Sequence, residues 1–428
     1  MQDEGGGCQP ADCRKDVQMI DGEIGRHHPR FLHSCLRAQN RMEKRFTSKG
    51  SALEPAASRI HSAGRVLSLP TMLTFDCHLD LSLNALGGFN RDLRLPVHEI
   101  RRREAGMVGK GRAGGTTAFP EMRKGRVGIC VATQLAGCMP GVSPIANWMS
   151  SEQAWAETQG QLAWYRAMEE EKQMAQVKNL AELEHAVAVW NDTTTPDDTK
   201  PIFYILSLEG ADSIRTVGHL ERCWDQGLRA LGPAHYGQCR YAMGHDTPGG
   251  LPAQGRDLIK EMSRLGMILD VTHLSDESFW EALELFEGTV WASHSNCRAL
   301  VPDVRQFSDD QIKALIERGA VIGAALDAWM MVPGWIRGQT TPQQVGLKLE
   351  VICDHIDHVC QLAGNALHAG IGTDLDGGYG IEQTPADLDT IADLARIPEM
   401  LARRGYKPQD IENIMSGNYL RLLRKAWA

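Results

Sequence analysis

The feature that most constrains this chain is a regular alternation of short apolar runs with longer stretches of helical period, beginning at residue 73. The runs are rich in β-branched and other apolar residues, which is typical of buried strands. There are eight of them, at 73–81, 126–134, 203–209, 228–235, 267–273, 290–295, 320–326 and 367–374. Eight strands alternating with helices predict an α/β fold, the (β/α)8 or TIM barrel.

Helical patterns fill most of the intervals between these runs. The clearest lie at 251–265, 275–286, 308–318 and 341–363. The long connection at 136–201 predicts a mostly helical insertion, and residues 386–427 predict further helices at the C-terminal end.

The first 71 residues differ from the rest. They carry 11 basic and 8 acidic residues, a net charge of +3, and show no sustained apolar period. Such a segment cannot easily offset its ordering entropy. We expect either a mobile or regulatory extension, or a segment foreign to the natural protein, with Met72 as the real start. The catalytic unit is predicted at 72–428.

Charge, hydropathy and cysteine usage narrow the class of protein. The net charge of −9 argues against a general nucleic-acid binder, which needs a basic surface. No run approaches the ~18 apolar residues of a membrane span. The 11 cysteines show no C-x-x-C pairing. We therefore expect a cytoplasmic protein without membrane or nucleic-acid partners.

Polar and ionisable residues stand at the ends of the predicted strands. In a barrel of this kind the active site forms at the C-terminal ends of the strands. The residues at those ends are His78, Asp80, Glu209, His235, His273, His294 and Asp374. Imidazole and carboxylate groups without thiolates suit a borderline divalent metal.

Each of these residues alone has a simpler explanation. Asp80 could cap a turn, Glu209 could pair with an arginine, and either His273 or His294 could be a packed core histidine. As a set they predict two metal ions, one on His78 and Asp80 and one on His273 and His294. Glu209 would lie between the two ions. Zinc suits these donors best, with manganese or cobalt as substitutes. Two such ions can hold a bridging hydroxide, which is hydrolytic chemistry.

For three residues at or near the strand ends, the sequence allows more than one role. Asp374 could be a metal ligand, a proton shuttle or a turn-former, although Asp376, before a glycine pair, suits a turn better. His235 could face the substrate or be an ordinary loop histidine.

Five stretches carry a resemblance to a known family. They are residues 76–81 (DCHLDL), 209–210 (EG), 262–275 (MSRLGMILDVTHLS), 292–296 (ASHSN) and 371–377 (IGTDLDG). From residue 72 to 428 the chain resembles the membrane dipeptidase (renal dipeptidase) family of zinc peptidases, within the amidohydrolase-like barrels. The longest stretch is very specific, and the short ones occur in the family's order.

The resemblance implies roles for individual residues. It implies two zinc ions per subunit bridged by Glu209, and Asp374 as the acid/base group for the attacking hydroxide and the leaving amine. It implies that His235 stabilises the tetrahedral oxyanion and that Arg305 grips the terminal carboxylate of the substrate. Arg298 is a rival for that last role. Family members are often dimers, so a homodimer is an expectation of the same kind.

The sequence also departs from the family. Animal members are secreted, lipid-anchored and disulfide-bonded, and we do not expect these properties here because no matching signals are visible. The apolar, Trp-rich stretch at 327–335 differs from the animal pattern, and it predicts Trp329 at the border of the substrate pocket.

The sequence thus predicts a zinc-dependent dipeptidase, with L-Xaa-D-Xaa dipeptides among its candidate substrates. The alternative is a related binuclear-metal amidohydrolase acting on N-acyl amino acids, lactones or phosphoesters. A third hypothesis is a binding protein with a degenerate site.

Overall fold

The computed structural model describes residues 72–138 and 147–428. The predicted N-terminal extension at 1–71 and residues 139–146 of the predicted insertion lie outside the described residues.

Nine strands, all paired in parallel, form one sheet in this part of the chain. They are β1 (Thr74–Leu79), β2 (Val127–Leu135), β3 (Met174–Gln176), β4 (Ile202–Glu209), β5 (Leu228–Gly232), β6 (Ile268–Asp270), β7 (Val290–Trp291), β8 (Ile322–Ala324) and β9 (Ala369–Ile371). The order is β7-β6-β5-β4-β2-β1-β9-β8, with β3 added beside the first half of β4. An isolated parallel bridge between Ala292 and Ile322 joins the two ends of this order. The eight-stranded barrel predicted from the sequence is therefore confirmed.

Helices follow most of the strands and cover the barrel. They are α1 (Leu81–Ala85), α2 (Val97–Arg103), α3 (Phe119–Lys124), α4 (Ser151–Glu170), α5 (Leu180–Asn191), α6 (His219–Asp225), α7 (Ala253–Leu265), α8 (Asp276–Leu285), α9 (Asp309–Glu317), α10 (Ala328–Met331), α11 (Ile352–Ala363), α12 (Ile397–Arg403), α13 (Pro408–Glu412) and α14 (Asn418–Ala426). None of the helices within 72–138 and 147–428 is long and apolar enough to cross a membrane.

The predicted elements differ from the observed ones mainly in length. Each predicted strand overlaps an observed strand, but β6 to β9 are only two or three residues long. The last residues of these four predicted strands lie outside the regular strands. The helix predicted at 341–363 is wrong in its first half, because residues 342–346 form turns and Gly346 adopts a left-handed φ of 63°. Regular helix begins only at Ile352.

The barrel interior is filled by apolar side chains below its C-terminal mouth. Tyr419 of α14 stacks on Phe75 of β1 with ring centroids 4.9 Å apart, and it meets Trp291 of β7 edge-on at 6.2 Å. All three side chains are buried. Burying an aromatic side chain of this kind contributes about 1.5–3 kcal/mol. Because these aromatic side chains fill the barrel below its mouth, the strand ends above them can carry polar groups.

Candidate active site

The five predicted metal ligands meet at the C-terminal mouth of the barrel, around one carboxylate oxygen. Glu209, the last residue of β4, places its Oε1 3.6 Å from Nε2 of His78. The same oxygen lies 3.2 Å from Nε2 of His273 and 3.5 Å from Nε2 of His294. Asp80 completes the cluster, its Oδ1 lying 3.8 Å from His78 Nε2. The structure thus places Glu209 between the two predicted pairs.

The histidine nitrogens of this cluster face one another with few hydrogen-bond partners, although Arg305 Nη2 lies 3.2 Å from Nε2 of His273. Among the described residues, His78 Nε2 is buried and has no hydrogen-bond partner. The Nε2 atoms of His273 and His294 lie 3.0 Å apart. Burial is the main cause that holds the pKa of all three imidazoles well below the ordinary value. Neutral imidazoles present lone pairs, so this arrangement fits a divalent cation.

The carboxyl groups lead to the same conclusion. Burial, and then the negative charges of Asp80 and Asp374, raise the pKa of Glu209 well above its ordinary value. Burial also raises the pKa of Asp80 to about 6, against a hydrogen bond from Thr133 that lowers it. Bound cations would favour the charged form of each group.

Three overlapping sets of side chains bring their ligand atoms within 4.8 Å of one another. The sets are His78 with Asp80 and Glu209; His78 with His294 and Asp374; and Glu209 with His235 and His273. Each set could hold one ion, and His78 and Glu209 each belong to two of the sets.

Two side chains that the sequence interpretation missed orient the histidines. Ser293 Oγ lies 2.9 Å from Nδ1 of His294, and His245 Nδ1 lies 3.3 Å from Nδ1 of His273. Partners on the far nitrogen fix the ring so that Nε2 faces the cluster. Ser293 directly precedes a strand-end histidine and could have been suspected. His245 lies in the connection between β5 and α7, and no periodic signal marks it.

The backbone is strained where it presents two of these groups. His273 and Asp374 adopt left-handed φ angles of 69° and 57°. A non-glycine residue in this region costs on the order of 1–3 kcal/mol, and such strain is typical of functional sites. A Cβ atom at Gly377 would overlap the Asp374 carboxylate, so glycine is required there. The conformation brings Asp374 Oδ1 to 3.8 Å from His78 Nε2.

Asp376, two residues later, has a different environment. Its buried carboxylate accepts from the backbone N–H of Thr116 at 2.8 Å and of Thr117 at 3.0 Å. It also pairs with the guanidinium of Arg91 at 3.3 Å, which in turn binds Glu104 at 2.9 Å. These contacts indicate that Asp376 stabilises the loop, and it is not among the residues that line the neighbouring cavity.

A cavity of about 370 Å³ opens beside the cluster. The four residues predicted to contact substrate or transfer protons, His235, Arg305, Trp329 and Asp374, all line it. The ring of His235 lies 4.6 Å from that of His273. Burial, with the charge of Arg305 second, lowers the pKa of His235 to about 3. A neutral imidazole can donate a hydrogen bond to an oxygen in this cavity.

The two candidate arginines differ in their surroundings. Arg305 is 3% exposed and donates from Nη2 to the His294 carbonyl at 2.9 Å, and within the described chain its Nε has no partner. Arg298 instead forms a two-pronged ion pair with Asp276, at 2.8 and 2.9 Å. Arg298 is therefore held in an ion pair, whereas the hydrogen-bond partners of Arg305 are neutral groups and its side chain lines the cavity.

The sequence of this chain is similar to sequences of known proteins. The family model of the membrane dipeptidases, Peptidase family M19, matches residues 65–428. The uncharacterized protein in the pqqA 5′ region of Klebsiella pneumoniae is 29% identical over 239 residues, covering 54% of this chain and 84% of that protein. Dipeptidase tcpJ of Claviceps purpurea is 32% identical over 182 residues, covering 41% of this chain and 38% of that protein.

A solved structure has the same fold. It is a metallopeptidase from Rhodobacter sphaeroides bound to a phosphinate mimic of the dipeptide L-Ala-D-Ala. The TM-score is 0.66 at 22% identity, over 83% of this chain and 99% of that one.

Proposed function

The chain belongs to the membrane dipeptidase family, Peptidase family M19, and we propose that it is a metal-dependent dipeptidase. The observation that carries this proposal is the convergence of His78, His273 and His294 on Glu209, beside a cavity lined by Arg305. The three histidines and Glu209 suit a hydrolytic metal centre. Arg305 suits a substrate with a free carboxylate.

We propose two zinc ions per subunit, with manganese or cobalt as substitutes. His78 and Asp80 would hold one ion, His273 and His294 the other, and Glu209 would contribute to both. When bound, such a pair lowers the pKa of a water molecule and polarises a carbonyl group.

The remaining residues then have distinct tasks. Arg305 binds the terminal carboxylate of the dipeptide with a planar, permanently charged group. His235 donates to the carbonyl oxygen as negative charge develops there. Asp374 accepts a proton from the attacking water and gives it to the leaving amine. The elevated pKa that burial gives Asp374 favours the second half of that transfer.

A substrate panel on metal-loaded protein tests the proposal. We expect hydrolysis of L-Ala-L-Ala, L-Ala-D-Ala or both, and the ligand of the Rhodobacter metallopeptidase favours including the second. Activity only on N-acyl amino acids, lactones or phosphoesters would instead support the related amidohydrolase. No turnover of any of these, together with no bound metal, would support a binding protein.

The proposed binding of the substrate's terminal carboxylate by Arg305 can be tested separately. Amidating the C-terminus of a good dipeptide removes the negative charge that Arg305 would bind. We expect KM to rise by at least about tenfold, because a charge-assisted pair of this kind is worth ~1.5–3 kcal/mol. In Arg305→Met the two substrates should be cleaved with equal kcat/KM. If wild-type protein cleaves both equally well, Arg305 does not bind the carboxylate.

Three further expectations complete the proposal. We assign the catalytic unit to residues 72–428. We place the protein in the cytoplasm, in keeping with eight free cysteines in the described chain, seven of them buried. A homodimer is the proposed assembly, from the family resemblance alone.

A further inference from the structure

The cavity contains a carboxylate that neither the metal centre nor the proposed chemistry uses. Asp327 follows β8, occupies the N-cap position directly before α10 and lines the cavity, yet it is only 7% exposed. An aspartate at this helix position usually caps the first turn with its side chain. Within the described chain Asp327 makes no such bond. Its carboxylate is thus directed elsewhere.

The partners of this carboxylate are neutral. Its Oδ2 accepts from the indole N–H of Trp329 at 2.6 Å, and its Oδ1 accepts from the side-chain amide of Gln383 at 2.7 Å. No lysine, arginine or histidine of residues 72–138 and 147–428 forms an ion pair with it. A buried carboxylate without a cation is costly, although these two hydrogen bonds reduce the cost.

The nearest cations lie at the rim and are engaged with aromatic rings. Arg337 packs over the ring of Trp329 at 3.9 Å and donates to the Tyr236 hydroxyl at 3.2 Å. Lys110 Nζ lies 5.8 Å from the centre of the Tyr379 ring. Both side chains belong to exposed residues, where water screens their charge. Asp327 therefore still lacks a contacting cation on the cavity side.

We infer that Asp327 binds the α-ammonium group of the dipeptide, and so determines that the substrate needs a free N-terminus. This inference rests on the proposed dipeptidase function. A dipeptide carries a positive charge at one end and a negative charge at the other. The same cavity offers Arg305 for the negative end and Asp327 for the positive end.

The position of Asp374 supports this assignment. Asp374 lines the same cavity as Asp327 and Arg305. A zwitterionic dipeptide held at its two ends would therefore lie in the cavity that also contains the proposed proton-transfer group.

The test compares L-Ala-D-Ala with propionyl-D-Ala, which has almost the same shape but no ammonium group. Wild-type protein should favour the dipeptide by at least about tenfold in kcat/KM, the effect of one charge-assisted contact. In Asp327→Asn this ratio should fall to about 1. The fall should come from a higher KM for the dipeptide, with propionyl-D-Ala cleaved as before. A ratio unchanged from wild type would overturn the inference.

Two more variants separate charge from structure. Gln383→Met removes one hydrogen bond to Asp327 but keeps its charge, so the wild-type ratio should persist. An equal fall in this variant would overturn the inference, because Asp327 would then act by positioning its neighbours. If Asp327→Asn does not fold, Asp327→Ser provides a second variant with a neutral side chain. The ratio of kcat/KM for L-Ala-D-Ala to that for propionyl-D-Ala should then fall to about 1 in Asp327→Ser.

The wild-type result distinguishes this inference from the function on which it rests. Wild-type protein that cleaves the dipeptide no faster than propionyl-D-Ala would overturn the role of Asp327 but leave amide hydrolysis intact. Wild-type protein that cleaves neither compound would overturn the dipeptidase proposal itself.

Discussion

Replacing Asp374 by asparagine should lower kcat by about 10²–10⁴-fold, the usual contribution of a general acid or base. The asparagine amide has nearly the same size as the carboxyl group, but it cannot accept the proton of the attacking water. Asparagine tolerates the left-handed φ of 57° at this position, and Gly377 leaves room for its side chain, so the position of the side chain should not change. We expect metal content and KM to stay close to those of wild-type protein.

Elemental analysis and steady-state kinetics on the same preparation check this prediction. Asp376→Asn is the matched control, since Asp376 is buried but contacts only protein groups. This substitution should lower the free energy of unfolding by about 3–5 kcal/mol, as expected when a buried ion pair is broken. The kcat of the protein that remains folded should be unchanged. Full activity of Asp374→Asn on a dipeptide would refute the proposed mechanism. Loss of metal would instead make Asp374 a ligand.

Replacing Glu209 by glutamine should remove metal and activity together. Its Oε1 lies within 3.6 Å of three imidazole nitrogens, so the loss of its charge weakens both sites. Changes to residues that only support a ligand already cost about 10–100-fold. We therefore expect at least a ~10²-fold loss of activity at limiting metal.

Thermal unfolding with and without added zinc provides the second readout. A ligand that binds only the native state raises its stability by about 2.7 kcal/mol at a hundred times its Kd. Zinc should thus raise the Tm of wild-type protein and have much less effect on Glu209→Gln. Without metal, the variant should be at least as stable as wild type, because it no longer buries a carboxyl group among others. Glu184→Gln, which only removes an exposed ion pair with Arg424, is the control. Equal zinc stabilisation of wild type and Glu209→Gln would show that Glu209 is not a shared ligand.

The features of the fold that the sequence predicted are those fixed by local pattern. The eight apolar runs specify buried parallel strands, and barrel geometry then brings their ends together. That is why His78, Glu209, His273 and His294, far apart in the chain, could be grouped from the sequence alone. The strand ends could not be predicted as well. His273 and Asp374 adopt left-handed backbone conformations, which are uncommon for residues other than glycine and are not marked by any periodic pattern.

Other features depend on tertiary contacts that leave no periodic signal. His245 reaches His273 from a connection between elements, and its role depends on how that connection folds. Asp327 has the sequence pattern of an ordinary helix cap, and only the folded chain shows that its carboxylate faces the cavity instead. The surroundings that distinguish Arg298 from Arg305 likewise depend on the position of Asp276, which pairs with Arg298.

Whether the protein is a metal-dependent dipeptidase is tested by the rate of L-Ala-D-Ala hydrolysis as zinc is returned to chelator-treated protein. We expect no turnover without metal, and a rate that rises until about two zinc ions are bound per chain. We also expect free alanine as the product. Turnover that persists in fully metal-free protein, or zinc-loaded protein that leaves every dipeptide intact, would contradict this proposal.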